Sequence, residues 1–337
     1  MRSSVGVLVI GVGGMGREHI QQLLTIEDAE IVGLVDPARA AITAARAIFP
    51  ALSEVPAFSD LSEALRTARA DAAVIVSPHS YHLEHGLACV NAGLHVLMEK
   101  PFVAGSANAA RLIARAEEQQ RHLAVSYQRH LEGPYMYMRE LVRSGVLGPI
   151  SVISAYQAQA WLAGTTGSWR QDPALSCGGQ LNDSGSHLLD VVLWITGLQP
   201  REVTAVVDNR GTRVDIDSVV TVRFDGGSLA TFVIVGSAHG SDTHDVWEDI
   251  SIHGAKGTVL YRAGTLLAAR DGSRHLCEVP ADQFHPDGDP DHDFIDLVQG
   301  RTAQAAAAAS CGLAVARVTE AAWQSAQLGR SVVLAPL

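Results

Sequence analysis

The run Val5–Ile10 breaks into Gly11-Val12-Gly13-Gly14-Met15-Gly16, and no other step constrains the fold of this chain as strongly. An apolar, β-branched run that stops at glycines reads as a buried parallel strand, and a helical pattern over 15–26 follows at once. A strand entering a helix through such a turn aims backbone N–H groups at an anion, as a pyrophosphate requires. Asp36 closes the next strand, 30–35, and lies 20 residues beyond Gly16, where a carboxylate meets ribose hydroxyls. A dinucleotide is therefore expected on Gly11, Gly13, Gly14, Met15, Gly16 and Asp36. The Asp36 carboxylate repels a 2′-phosphate, so NAD is expected over NADP. Arg39, three residues on, keeps NADP as the alternative.

The alternation continues with helices at 38–48, 61–68, 81–92 and 106–120 between strands at 72–76, 94–98 and 123–127. That order predicts an α/β domain over 1–127, a Rossmann-type doubly wound parallel sheet. The 337 residues leave room for a second domain. From 128 to 337 the pattern changes: a helix at 135–144, a strand at 150–159, a loop rich in Gly, Thr and Trp, and a helix at 179–196. Strands at 202–207, 217–224, 228–235 and 247–253 and a helix at 313–328 complete an α+β domain on a mostly antiparallel sheet. Asp225-Gly226-Gly227 marks a hairpin within it.

The formal charge of −11 makes nucleic acid and anionic membranes poor partners. The apolar run at the start is too short to span a bilayer, and no export signal follows it. Cys89, Cys177, Cys277 and Cys311 are widely spaced and fit a reducing, cytoplasmic setting. No metal centre is expected. His285–Asp293 is broken as a calcium loop by Pro290, and its aspartates read as caps of a helix from 291. His82 and His85 lack a zinc-site context, and His85 reads as a surface histidine.

Two further segments carry chemistry. Lys100 and Lys256 are the only lysines among 25 basic residues. Lys256 sits in a polar turn, whereas Lys100 stands in Met98-Glu99-Lys100-Pro101 at the carboxyl end of a strand, where ligands of a doubly wound sheet bind. Pro101 is a candidate for a cis bond. In Cys177-Gly178-Gly179-Gln180-Leu181-Asn182-Asp183-Ser184-Gly185-Ser186-His187, a helix begun early puts Asp183 and His187 one turn apart on one face. Leu188, Val191, Val192 and Ile195 form the apolar face beneath. A carboxylate and an imidazole over such a face suit proton transfer at a polarised hydroxyl.

Taken together with Ser77-Pro78 and Tyr127-Gln128-Arg129, these segments resemble the glucose–fructose oxidoreductase/inositol dehydrogenase (Gfo/Idh/MocA) family over essentially the whole chain. The resemblance implies a large open sheet in the second domain, a pyridine dinucleotide, and a sugar or polyol substrate. It implies Lys100, Asp183 and His187 as the catalytic lysine, aspartate and histidine. It adds Ser77, Pro78, His79, His82, Glu99, Lys100, Pro101 and Gln128 to the cofactor edge. His79 stands where many members have asparagine, and Cys177, read as a small buried residue, replaces the first glycine of the usual run.

In the oxidising direction His187 takes the hydroxyl proton, Lys100 stabilises alkoxide charge, and Asp183 positions Lys100 or the hydroxyl. Tyr156, Gln157, Trp169, Arg170 and Asn182 are expected to line a polar pocket, with Arg170 paired to Asp172. An NADPH-dependent aldose or keto-sugar reductase using Arg39 is the alternative enzyme. A non-catalytic dinucleotide or sugar sensor is the alternative of another class, against which the retained trio counts. The strand at 228–235 is apolar on both sides, so a homodimer or homotetramer through the second-domain sheet is expected.

Overall fold

A computed structural model describes residues 4–239, 246–270, 272–273 and 275–336. His244, which the sequence sets along the β region with His239 and His253, lies outside the described residues. The chain divides into two compact units, one of residues 1–128 with 288–313, the other of 129–287 with 314–337. The sequence places one boundary near 127; the structure adds a return of 288–313 to the first unit.

The first unit runs β1 (Val5–Ile10), α1 (Gly14–Leu23), β2 (Ala29–Val35), α2 (Arg39–Ile48), β3 (Ala57–Phe58), α3 (Leu61–Thr67), β4 (Ala72–Ile75), α4 (His82–Asn91), β5 (His95–Met98), α5 (Ser106–Glu118) and β6 (Leu123–Val125). The six strands pair in parallel in the order β3-β2-β1-β4-β5-β6, the doubly wound arrangement expected from the alternation. β1 and β4 are buried at every position because helices cover both faces, which explains their uninterrupted apolar runs.

The second unit contains α6 (Gly133–Arg143), β7 (Ile150–Ala158), the short α7 (Trp161–Gly164) and α8 (Pro173–Ser176), and α9 (Gly185–Thr196). Then come β8 (Pro200–Asp208), β9 (Asp217–Phe224), β10 (Leu229–Val235), β11 (Trp247–Gly254), β12 (Thr258–Arg262), β13 (Thr265–Ala269) and β14 (Cys277–Glu278). The returning segment holds α10 (Pro290–Val298), α11 (Ala309–Leu328) runs from the first unit into the second, and β15 (Val332–Val333) is the last strand.

Nine strands form one sheet in the order β14-β13-β12-β11-β7-β10-β9-β8-β15, mostly antiparallel with β7 and β10 parallel. Its inner face carries Ile153, Ala155, Gln157, Ala230, Phe232 and Ile234, all buried, and α9 packs on it through β7 and β10. The other face leaves Val152, Tyr156, Val206, Val219, Leu229 and Trp247 exposed. Glu248 points inward and is satisfied by Arg129 Nη2 at 2.8 Å and the Tyr135 hydroxyl at 2.6 Å. Among the described residues no helix is long and apolar enough to cross a membrane.

One local expectation fails and another holds in part. α9 begins at Gly185, not at 179, so Asp183 sits in the turn before the helix and the one-turn spacing argument does not place it. Asp289 caps α10, its Oδ1 accepting from the N–H groups of Asp291 and His292, both at 3.0 Å. Asp287 Oδ1 instead accepts from Gly133 N at 2.8 Å, and the side chain of Asp291 is buried elsewhere.

Candidate functional site

The glycine turn meets its constraints in backbone terms. Gly11 has φ +93°, and a Cβ there would stand 2.7 Å from the Val76 carbonyl; one on Gly16 would stand 2.1 Å from the Gly11 oxygen. At Gly13 and Gly14 a Cβ would meet nothing within 4 Å, so the crest of the turn is open. Gly13 is the N-cap of α1 and supplies no side-chain cap to the helix N-terminus. Asp36 Oδ2 accepts from Val12 N at 2.9 Å and Oδ1 from Ala38 N at 2.8 Å, which fixes the carboxylate beside the turn. An open crest, an uncapped helix end and an adjacent fixed carboxylate fit a pyrophosphate and its ribose. Met15 is exposed on the turn and Arg39 is exposed at the start of α2.

Ser77, Pro78 and His79 follow β4, and Glu99, Lys100 and the cis-bonded Pro101 follow β5, at the same carboxyl edge of the sheet. Lys100 is half-buried, and Gln128 is exposed at the end of this unit's first segment.

Two members of the expected cofactor set have partners within the protein. His82 is fully buried, with Nδ1 2.9 Å from the Pro101 carbonyl and 3.0 Å from that of Phe102, and Nε2 2.8 Å from that of Ser77. His82 thus sits between the loops that follow β4 and β5, its one ring N–H donating to a carbonyl of one of them. Burial holds its pKa below the usual value despite these carbonyls. The Glu99 carboxylate is buried and bonded to His19 at 3.2 Å and to the backbone N–H of Lys100 at 3.1 Å. His85 is not a plain surface group either: it is half-buried, Nδ1 lies 3.0 Å from Ser77 Oγ, and its ring stacks on Tyr81.

In the second unit the turn 179–184 sets the site. Asp215 is buried; Oδ1 accepts from Gly179 N at 2.9 Å and Trp323 Nε1 at 3.1 Å, and Oδ2 from Leu181 N at 2.7 Å. Burial raises the pKa of this carboxyl. The clamp brings Asp183 Oδ2 to 2.9 Å from Trp161 Nε1 and 3.0 Å from Arg170 Nε. Arg170 therefore pairs with Asp183, not Asp172, whose side chain caps α8 and faces Arg213 at 3.5 Å. The Arg170 guanidinium also lies 4.6 Å from the centroid of the Trp169 ring.

His187 is 8% exposed in the first turn of α9, and its N–H donates to the Ser184 carbonyl at 3.1 Å. Asn182 is buried, with Nδ2 3.4 Å from the Ser176 carbonyl, and Gln157 donates to Ser184 Oγ at 2.6 Å from the inner face. Tyr156, paired with Val233, projects to the opposite, exposed face, so strand alternation removes it from this group. Cys177 is half-buried in a left-handed turn, and burial pushes its thiol pKa up, which disfavours the nucleophilic thiolate.

Reading from sequence passed over Asp215, Trp161 and the buried pair of His130 Nε2 and Asp190 Oδ2 at 2.8 Å. An aspartate between Val214 and Ile216 is the one signal that marks Asp215.

The chain thus combines a doubly wound unit that carries an open glycine turn with an α+β unit that carries the clamped Asp183 and, four residues on, a buried histidine. The profile of the oxidoreductase family with an NAD-binding Rossmann fold matches residues 5–127, and that of the Gfo/Idh/MocA C-terminal domain matches 135–260. The chain belongs to the Gfo/Idh/MocA family. It is 32% identical over 209 residues to inositol 2-dehydrogenase of Streptomyces avermitilis, covering 61% of this chain and 56% of the relative. It is 28% identical over 180 residues to the NADP(+) scyllo-inositol 2-dehydrogenase IolW of Bacillus subtilis, covering 53% and 49%. The chain thus spans about half the length of these curated relatives. The WlbA dehydrogenase of Bordetella pertussis, solved with NADH and UDP-GlcNAcA, superposes with a TM-score of 0.86 at 22% identity, covering 99% of each chain, a likeness of fold.

Proposed function

We propose that the protein transfers hydride between a hydroxyl of a sugar, glycoside or inositol-like polyol and the nicotinamide of NAD. The observation that carries this reading is the clamped Asp183, held by Trp161 and Arg170 four residues before a buried histidine. Such pre-set groups pay their ordering cost in folding, before substrate arrives.

His187 accepts the hydroxyl proton, Lys100 stabilises the charge developing on that oxygen, and Asp183 orients the hydroxyl. Trp169, Arg170 and Asn182 flank the substrate hydroxyls. The turn at Gly11, Gly13, Gly14, Met15 and Gly16 holds the pyrophosphate and Asp36 the ribose, with Ser77, Pro78, His79, Pro101 and Gln128 completing the edge. When bound, the nicotinamide supplies the hydride acceptor.

Asp36 favours NAD over NADP, and Arg39 is the residue through which NADP would enter. Homo-oligomers form through the exposed sheet face around Val206 and Trp247, and the four free thiols suit the cytoplasm.

Reduced-nicotinamide absorbance across inositols, glycosides and aldoses, with NAD and NADP in parallel, tests the reading. Turnover on one of these classes with NAD preferred is expected. A preference for NADP well over about tenfold points to the Arg39-dependent reductase, and NAD binding without turnover to a sensor.

A further inference from the structure

Three acidic or basic side chains from distant parts of the first unit meet in its interior. His19 lies on α1 at 4% exposure, Glu99 follows β5 at 6%, and Asp291 is on α10 at 2%. Nδ1 of His19 is 3.0 and 2.9 Å from the two Asp291 oxygens, and Nε2 is 3.2 Å from Glu99 Oε1. The second Glu99 oxygen accepts from the backbone N–H of Lys100 at 3.1 Å.

We propose that His19 is a positioning residue for Lys100: as an imidazolium donating to Asp291 and Glu99 together, it fixes the carboxylate that holds the Lys100 backbone. The inference rests on the assignment of Lys100 above. A neutral imidazole has one N–H and one lone pair, so it would turn a lone pair toward one of two buried carboxylates. The doubly protonated ring donates to both. Burial pushes the His19 pKa down, but Asp291 and then Glu99 outweigh it and hold it up at about 10.

The groups facing this ring are Asp291 from α10, with Asp289 close to it, and Glu99, which also feels Lys100 and bonds Ser126. Burial pushes both carboxyl pKa values up; at Asp291 it prevails over His19, whereas at Glu99 the bond to His19 and the nearby charges outweigh it and hold the carboxyl below its usual range. Remove the imidazolium and two buried carboxylates are left without their shared donor; they must repel or take up a proton. Glu99 then moves, and the segment bearing Lys100 with it. The return of 288–313 to this unit thus supplies the aspartate that completes the arrangement.

The test has two arms on the full chain. In nitrogen-15 spectra of labelled histidine at about pH 8, with His19 assigned by its loss in His19→Gln, both ring nitrogens should carry protons; an ordinary histidine is neutral there. A neutral His19 ring overturns the proposal. In the second arm His19→Gln should lower kcat about tenfold or more, since a misplacement of about 1 Å costs up to ~10²-fold, while KM for NAD changes less than about threefold. Glu99→Gln is measured the same way and decides the kinetic arm if His19→Gln does not fold. A folded variant with wild-type kcat overturns the proposal. Lys100→Ala alongside separates the two claims: full turnover in that variant overturns the Lys100 assignment, whereas its loss beside an unaffected His19→Gln overturns only the positioning role.

Discussion

The dinucleotide edge of the first unit is shaped mainly by backbone, whereas the Asp183 segment of the second is held by side chains reached from far along the chain. Gly16 is pressed against the Gly11 carbonyl and Gly11 against the backbone of Val76, and Asp36 accepts from the backbone N–H groups of Val12 and Ala38. Asp183 depends on Trp161, Arg170 and, through its turn, on Asp215 and Trp323. A backbone-built edge tolerates most side-chain changes but no added Cβ at its tightest points. A side-chain-built segment fails one residue at a time.

That contrast is sharpest at Asp215. Asp215→Ala leaves the N–H groups of Gly179 and Leu181 and Nε1 of Trp323 without their acceptor, at about 1–3 kcal/mol each. A loss of about 3 kcal/mol or more is expected in denaturant melts, with the surviving folded fraction impaired in turnover. A variant as stable as the wild type would break the comparison. Next in size, Lys100→Ala should lower turnover ~10²-fold, about 2.7 kcal/mol of transition-state stabilisation, with little change in melting temperature.

A smaller effect concerns pH. The His19 pKa is raised in the folded protein from 6.5 to about 10, so its contribution to stability is full below about 6.5. That contribution declines as pH rises and is lost above about 10. Melting temperature should therefore fall between pH 7 and 10 more steeply in the wild type than in His19→Gln; equal slopes would remove the linkage. The smallest effect on folding belongs to the open sheet face. Val206→Glu, at a side chain 72% exposed, should leave melting within about 0.5 kcal/mol yet shift the mass seen by light scattering toward the monomer. A monomeric wild type at micromolar concentration would end the oligomer proposal.

The same contrast explains what was legible in the sequence. The parallel sheet, the glycine turn and Asp36 were readable because strand, turn and helix follow one another directly, and β9 and β10 because alternation and a glycine hairpin are local. The start of α9 was misplaced because helical periodicity in 179–184 is overridden by Asp215, 36 residues from Gly179. Arg170 was assigned to its near neighbour Asp172, but tertiary packing delivers it to Asp183, 13 residues away. His19 and Asp291 are 272 residues apart, and Asp291 looked like one more helix cap in an acidic stretch. Tyr156 was grouped with Gln157 by adjacency, although successive residues of a strand face opposite ways.

The central claim is a division of labour, in which the first unit's edge binds the dinucleotide and His187 moves the proton. It is tested most directly by single-turnover hydride-transfer rates beside calorimetric NAD affinities for Asp36→Ala and His187→Ala, each with its own melt. Asp36→Ala should lose about tenfold or more in affinity and keep its rate within about twofold, whereas His187→Ala should lose ~10²-fold in rate and keep its affinity. A folded His187→Ala that transfers hydride at the wild-type rate would contradict the account.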